Sequence, residues 1–117
     1  MDERTRRRAL RDAYRAQRRE AAVYLLRNRV TGRGLLGSTV DLASLRNRLE
    51  FARATATPSA LDLRLADDAR RYGVEAFELE VVEPLEVAPT MTEADVRADL
   101  AALEQLCRER LDPSTLY

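Results

Sequence analysis

One segment near the N-terminal end constrains the fold more than any other. Residues 22–28 read Ala-Val-Tyr-Leu-Leu-Arg-Asn, and the strand that this pattern predicts has apolar side chains on both faces. A Thr-Gly-Arg-Gly sequence at 31–34 predicts a tight turn, and a second apolar segment follows at 35–38. The chain is therefore expected to form a β-hairpin whose first strand is covered by other elements on both sides.

Helix patterns follow the hairpin directly. Leucines at three- and four-residue spacing predict a helix at 41–53, with Asp41 or Thr39 as its N-cap. A second apolar stripe predicts a helix at 59–72, which Gly73 ends. Each helix has one apolar face, so both are expected to pack against the sheet.

The acidic half of the chain adds one strand and one helix. Apolar and acidic residues alternate at 77–81, which predicts a strand with one buried face, and residues 83–89 are expected to form a loop. Residues 92–111 predict a final helix with a clear 3.6-residue periodicity and a start that resembles a capping box. The sheet therefore has about three strands.

The first residues predict a basic helix with only a thin apolar stripe at 2–19. The chain accordingly divides into this basic N-terminal helix, at 1–20, and a single globular domain at 21–117. The fold class is α/β, more closely α+β: a small, mostly antiparallel three-stranded sheet flanked by helices, with an extra N-terminal helix.

The chain has 117 residues, with no histidine and a single cysteine. Several kinds of catalytic and metal site therefore cannot form from its residues. Ser-His-Asp triads, Cys-His pairs and zinc sites built from histidine or several thiolates need residues that are absent. No apolar run approaches the roughly 20 residues needed to cross a bilayer, and the N-terminal arginines lack the apolar core of a signal peptide. We expect a cytoplasmic protein without a membrane partner, in which Cys107 is a small buried apolar residue.

The net charge of zero hides opposite charges in the two halves of the chain. Residues 1–53 hold 14 arginines against 6 acidic residues, whereas residues 54–117 hold 6 against 14. Clustered arginines are typical of contact with nucleic-acid phosphates; the alternative is that two oppositely charged rims pack together. The candidate nucleic-acid-binding residues are Arg7, Arg8, Arg11, Arg15, Arg27, Arg29, Arg33, Arg46 and Arg53.

Several short segments occur in an order that matches a known family. They are residues 22–24, 31–33, 37–39 followed by Asp41, the passage 71–83 from a helix end through a glycine into a strand, and 103–105. In this order the chain resembles the GIY-YIG nuclease domain over residues 21–117. The resemblance implies two short motifs on adjacent strands, a following helix that carries a catalytic arginine, and hydrolysis of phosphodiesters with Mg²⁺.

The resemblance assigns the functional positions one by one. Tyr24 takes the place of the first motif's tyrosine, and Glu104 that of the metal-binding glutamate. Leu35, Leu45 and Leu49 take the places of the second tyrosine, the catalytic arginine and a position that is often histidine. Each lost electrostatic donor lowers the rate by about 10²–10³-fold, so the resemblance predicts a domain that no longer hydrolyses phosphodiesters.

Arg46 is the cation next to Leu45 in sequence. Successive helical residues diverge by about 100°, so Arg46 is expected to point away from the direction of Leu45. We expect no cofactor, with Mg²⁺ on Glu104 as the exception if the chain is an active nuclease. The whole pattern resembles a degenerate branch of the family, found as small stand-alone proteins or beside bacterial transcription-regulator domains.

Three functions remain open from the sequence. The first is a non-catalytic nucleic-acid-binding or interaction module, in which the arginines contact DNA or RNA. The second is a metal-dependent endonuclease with an atypical site built on Tyr24 and Glu104. The third is a structural or protein–protein role, with the charged halves pairing between subunits of a homo-oligomer. Tyr24 is also consistent with a core residue, and Glu104 with a solvated carboxylate paired with Arg108.

Overall fold

The computed structural model describes residues 3–7 and 20–117. Residues 3–7 are helical, and the rest of the predicted basic helix, with Arg8, Arg11 and Arg15, lies outside the described residues. Within residues 20–117 the strands are β1 (Ala21–Asn28), β2 (Gly34–Thr39) and β3 (Phe77–Leu85). The α-helices of the same range are α1 (Leu42–Thr55) and α2 (Ala66–Tyr72), between β2 and β3, and α3 (Glu93–Arg110), after β3. The predicted α+β class is therefore confirmed.

β1 is the central strand of a fully antiparallel sheet with the order β2-β1-β3. On one face, β1, β2 and β3 pack against α1 and α2 in a cluster that includes Leu26, Leu35 and Phe77. On the other face, Val23 and Leu25 pack against α3. The prediction that β1 is covered on both sides is confirmed.

The helix ends follow the sequence signals closely. The Asp41 carboxylate accepts a hydrogen bond from the Ser44 backbone N–H at 3.2 Å, so Asp41 is the N-cap of α1. At the start of α3, Thr92 and Asp95 each accept from the other's backbone N–H, at 3.1 and 3.0 Å. Both predicted N-termini are correct to within one residue.

The predicted helix at 59–72 is wrong in its first half. The chain forms two short 3₁₀ turns there, Pro58–Ala60 and Leu63–Leu65, and a regular α-helix begins only at Ala66. Asp62 has an extended backbone between the two turns, and its carboxylate accepts from the Arg64 backbone N–H at 2.9 Å. This local cap competes with helix formation, and it places Asp62 beside β1.

β3 runs further than the sequence suggested. It extends to Leu85, so the loop predicted at 83–89 begins as a strand. Val23 pairs with Glu83 and Tyr24 with Val81, which leaves Val82 as the extra residue of a β-bulge. Val82 packs on the α3 side of the sheet, whereas Val81 is 42% exposed and does not belong to the predicted buried face. No helix within the described residues is long and apolar enough to cross a bilayer.

Candidate nucleic-acid interface and tyrosine pocket

Tyr24 lies in the middle of β1, directly opposite Gly37 on β2. Its ring crosses this neighbour so closely that a Cβ atom at position 37 would stand 2.6 Å from the Tyr24 hydroxyl oxygen. Only glycine leaves that space open. The glycine of the Gly-Ser-Thr segment thus has a packing reason: it lets the phenol lie flat over β2.

The Tyr24 ring forms one wall of a small cleft, which we call the tyrosine pocket. The cleft has a volume of 120 Å³ and lies between β1, α1 and the irregular segment before α2. Its lining is largely apolar, and its two charged side chains are Arg48 and Asp62. The full lining is Tyr24, Leu26, Leu45, Arg48, Leu49, Ala60, Leu61 and Asp62.

The three leucines at the family's functional positions have different surroundings. Leu35 and Leu49 are 2% and 5% exposed and belong to the core cluster beneath α1. Leu45 is half-buried and lines the tyrosine pocket. Each therefore supplies hydrocarbon to this part of the molecule, where a phosphate and its counter-ion would be poorly solvated.

The cation of the tyrosine pocket is Arg48, which sequence reasoning missed. Arg48 follows Leu45 by three residues, so the two side chains share one face of α1. Arg46 is exposed, and the pocket lining does not include it, in agreement with the expectation that it points elsewhere. The i, i+3 spacing was the signal that could have identified Arg48.

A second cation, Arg64, is held by a carboxylate beside the pocket. Its guanidinium donates two hydrogen bonds to Asp62, each 3.0 Å long. These hydrogen bonds lower the pKa of the Asp62 carboxyl, so the pair stays fully ionised at neutral pH. Most of the Arg64 charge is consequently balanced where it stands.

The environment of Tyr24 keeps its hydroxyl protonated. Burial raises the pKa of Tyr24, and the negative charges of Asp62 and, to a lesser degree, Glu104 raise it further. Arg64 and Arg48 oppose this shift without reversing it. A general base needs a pKa near the working pH, so Tyr24 is poorly suited to remove a proton from water.

Glu104 lies on α3, which packs on the sheet face opposite to the tyrosine pocket, and Glu104 does not line that pocket. Its negative charge contributes only weakly to the raised pKa of Tyr24. The half-buried Glu104 carboxylate also lies 3.6 Å from the Arg108 guanidinium, as predicted for an i, i+4 pair. Among the residues that the structure describes, no three acidic or cysteine side chains group as metal ligands would.

A different group of arginines gathers where β1 ends and β3 begins. The Arg29 guanidinium donates to the Glu75 carbonyl oxygen at 2.6 Å, and Arg53 donates to the carbonyl of Phe77, two residues further along the chain. The Arg33 guanidinium donates to the Leu116 carbonyl at 3.3 Å. We call Arg29, Arg33 and Arg53 the arginine end.

The arginine end is organised by a buried hydrogen-bond network. Asn28 is fully buried, and its side-chain oxygen accepts from the backbone N–H groups of Val30 and Thr31 at 2.9 and 3.4 Å. Its amide nitrogen donates to the Tyr117 hydroxyl at 3.1 Å, which in turn donates to Asp68 at 2.6 Å. This network fixes the turn that carries Arg29 and Arg33.

Tyr117 also supports the arginine end through its ring. The Arg33 guanidinium lies 4.5 Å from the ring centroid, and the Phe77 ring packs from the core at 6.5 Å. The Tyr117 backbone N–H donates to the Gly34 carbonyl oxygen at 2.9 Å. Tyr117 thereby connects the turn that carries Arg33 to the start of β3 at this edge of the sheet.

Other predicted arginines are balanced by carboxylates. Arg27 donates to both carboxylate oxygens of Glu80 at 2.9 and 3.2 Å; Glu80 is on β3, two residues beyond Glu78, the residue that pairs with Arg27. Arg7 pairs with Glu3 at 3.2 Å. A guanidinium matched to a carboxylate in this way offers less charge to a phosphate, so Arg27 is a weaker candidate than the sequence suggested.

No family model matches the chain, and neither a curated protein nor a solved structure matches it significantly.

Proposed function

We propose that this chain is a nucleic-acid-binding domain, GIY-YIG-like and without hydrolytic activity, that holds phosphates at the arginine end. The supporting observation is that Arg29, Arg33 and Arg53 donate to neutral backbone carbonyls and not to carboxylates. Each guanidinium keeps its full charge and most of its N–H donors, and its side chain is already ordered. Such preordered cations lose little entropy when a phosphate binds.

The absence of hydrolysis in this proposal rests on the tyrosine pocket. Its floor is aliphatic, the charge of Arg64 is balanced by Asp62, and the raised pKa of Tyr24 leaves the hydroxyl protonated. Charge that develops on a phosphorane would meet Arg48 as the one side-chain cation of the pocket lining.

Fluorescence anisotropy with labelled oligonucleotides tests the proposed binding. Replacing Arg29, Arg33 and Arg53 together by alanine should weaken binding by about 1,000-fold at low salt, at about tenfold per lost charge-assisted hydrogen bond. The slope of log affinity against log salt concentration should fall by about 3.

The matched control removes three arginines that are paired with carboxylates: Arg64, Arg97 and Arg108. It changes the net charge by the same amount and should change affinity only slightly. Equal losses in the two triple variants would mean that overall charge, and not the arginine end, attracts nucleic acid. A wild-type protein that binds no DNA or RNA at low salt would refute the proposed function.

A metal-dependent endonuclease is the second candidate, and one observation favours it. Arg48 lines the pocket beside Tyr24, where a guanidinium could stabilise charge on a phosphate. In that case Glu104 would hold Mg²⁺, which would supply Lewis-acid stabilisation of the phosphate. Nicking of supercoiled plasmid with Mg²⁺ or Mn²⁺, abolished by Glu104→Ala and by Arg48→Ala, would establish it. Nicking that survives both substitutions would indicate a contaminating nuclease.

A further inference from the structure

A groove beside the arginine end has the features of a binding site for a single nucleotide. It has a volume of 450 Å³, within the range of pockets that take small ligands, and lies between the C-terminal ends of α1 and α2. Its walls are apolar over much of their area, and they also include three charged residues and one aromatic residue. The full lining is Arg53, Ala56, Pro58, Ala69, Arg70, Tyr72, Gly73, Val74 and Glu75.

We propose that this groove receives one unpaired nucleotide of a single strand, an inference that rests on the proposed nucleic-acid binding. The phosphate would contact Arg53 and Arg70, and the base would lie against the Tyr72 ring. Duplex DNA keeps its bases stacked and inside the helix, so only a single strand can place a base in the groove.

The two arginines that line the groove, Arg53 and Arg70, are available to a phosphate. Arg53 is held by a neutral carbonyl and therefore keeps its charge. Arg70 pairs with Asp67 at 3.3 Å, but the Asp67 side chain is 99% exposed, and an exposed pair of this kind is readily exchanged for another anion. Arg29, bound to the Glu75 carbonyl, adds a further positive charge beside the groove.

Two other residues of the groove lining, Tyr72 and Glu75, suit a base better than a phosphate. Tyr72 is half-buried, and the guanidinium of Arg71 lies 5.3 Å from its ring centroid. Tyr72 lines the groove, whereas Arg71 does not. The Glu75 carboxylate repels phosphate and accepts hydrogen bonds from the amino groups of a base.

The test compares a labelled single-stranded 12-mer with a labelled blunt-ended 12-base-pair duplex, which has no unpaired nucleotide, in low salt. Wild-type protein should bind the single strand about tenfold more tightly, since stacking on an aromatic side chain contributes a factor of this order per base. Tyr72→Leu should remove that preference and leave duplex affinity unchanged, whereas Tyr72→Phe should retain it.

Phe51→Leu is the control, because Phe51 is an aromatic residue of α1 that is 58% exposed and does not line the groove. Arg70→Gln offers a second route that leaves the ring in place and should weaken single-strand binding alone. Equal binding of both probes, with no effect of Tyr72→Leu, would overturn the nucleotide groove and leave the arginine end standing. Loss of all binding in the wild-type protein would overturn both.

Discussion

The tyrosine pocket and the arginine end both contain arginines, but they differ in what those arginines touch. At the pocket, Arg64 faces the carboxylate of Asp62 across two hydrogen bonds, and the surrounding floor is hydrocarbon. At the arginine end, Arg29 and Arg53 are held by the carbonyls of residues 75 and 77. The first site has its charges balanced internally, whereas the second leaves them for a partner.

This difference shows why counting arginines is a poor guide to binding. A guanidinium that donates to a carboxylate loses much of its attraction for phosphate, but one that donates to a carbonyl is positioned without being neutralised. Arg27 and Arg29 are two residues apart in sequence and fall on opposite sides of this division. The contact partner therefore separates the two classes, and sequence proximity does not.

The largest expected effect comes from Asn28→Ala, which attacks the arginine end alone. The substitution leaves the N–H groups of Val30 and Thr31 without their acceptor and removes the donor to Tyr117. We expect a loss of about 2–3 kcal/mol in the free energy of unfolding, measured by urea denaturation, together with weaker oligonucleotide binding.

Asn47→Ala is the control for that experiment, because Asn47 is exposed on α1. It should leave both stability and binding near the wild-type values. If Asn28→Ala lowered stability but left affinity intact, the turn would not be what positions Arg29 and Arg33.

Gly37→Ala attacks the tyrosine pocket alone and should have a somewhat smaller effect. The new methyl group would meet the Tyr24 hydroxyl at 2.6 Å, and the ring must shift to admit it. We expect a loss of about 1–2 kcal/mol, typical of overpacking, with unchanged affinity for oligonucleotides.

A double-mutant cycle with Tyr24→Ala isolates this contact. Because removal of the ring relieves the clash, the two substitutions should cost less together than the sum of their separate costs. Additive costs would show that the strain at position 37 comes from another neighbour.

The sequence predicted the architecture well and the sites only in part. Apolar periodicity located β1, β2, α1 and α3, because burial on one or two faces leaves a repeating pattern in the chain. It failed at 59–65, where the cap formed by Asp62 overrides the leucine spacing. It also ended β3 too early, since an edge strand with a bulge has no complete buried face to reveal it.

The sites were harder to predict because their chemistry depends on long-range contacts. The resemblance singled out Tyr24, but no local pattern shows that Asp62 and Arg48 line the same pocket. The division between Arg27 and Arg29 depends on strand register and on the carbonyls of a distant segment. Such partners lie about fifty residues apart in the chain, beyond the reach of local periodicity.

Alkaline pH should destabilise both the tyrosine pocket and the arginine end, because one tyrosine in each, Tyr24 and Tyr117, must ionise. Burial raises the pKa of Tyr24 and that of Tyr117, so folding stability is complete below the unfolded tyrosine pKa of about 10 and is lost as the pH rises through the folded values. The chain contains no lysine, and arginine stays charged in this range, so few other groups contribute.

The measurement is the urea midpoint between pH 8 and 11.5 in a Cys107→Ala background, which removes the thiol. Tyr24→Phe should flatten the decline by removing the contribution of the pocket, and Tyr117→Phe by removing that of the arginine end. A decline that neither substitution changes would assign the effect to another group.

The smallest expected effect is a gain in stability at the rim of the groove. Ala56 ends α1 with a left-handed backbone, at φ 50°, and is the one non-glycine residue with positive φ in the described chain. Ala56→Gly should stabilise the protein by about 0.5–1 kcal/mol, because glycine adopts this conformation without strain. Ala54→Gly, two residues earlier at an exposed helical position, should have the opposite sign.

The reactivity of the Cys107 thiol can report local opening of the domain. As the single thiol of the chain it is 5% exposed, on the side of α3 that packs against the sheet face opposite to the tyrosine pocket. A thiol reagent can reach it only when α3 lifts away, so the rate of labelling measures how often that helix opens. Ligands that engage the arginine end should leave this rate unchanged unless the two layers of the domain open as one cooperative unit.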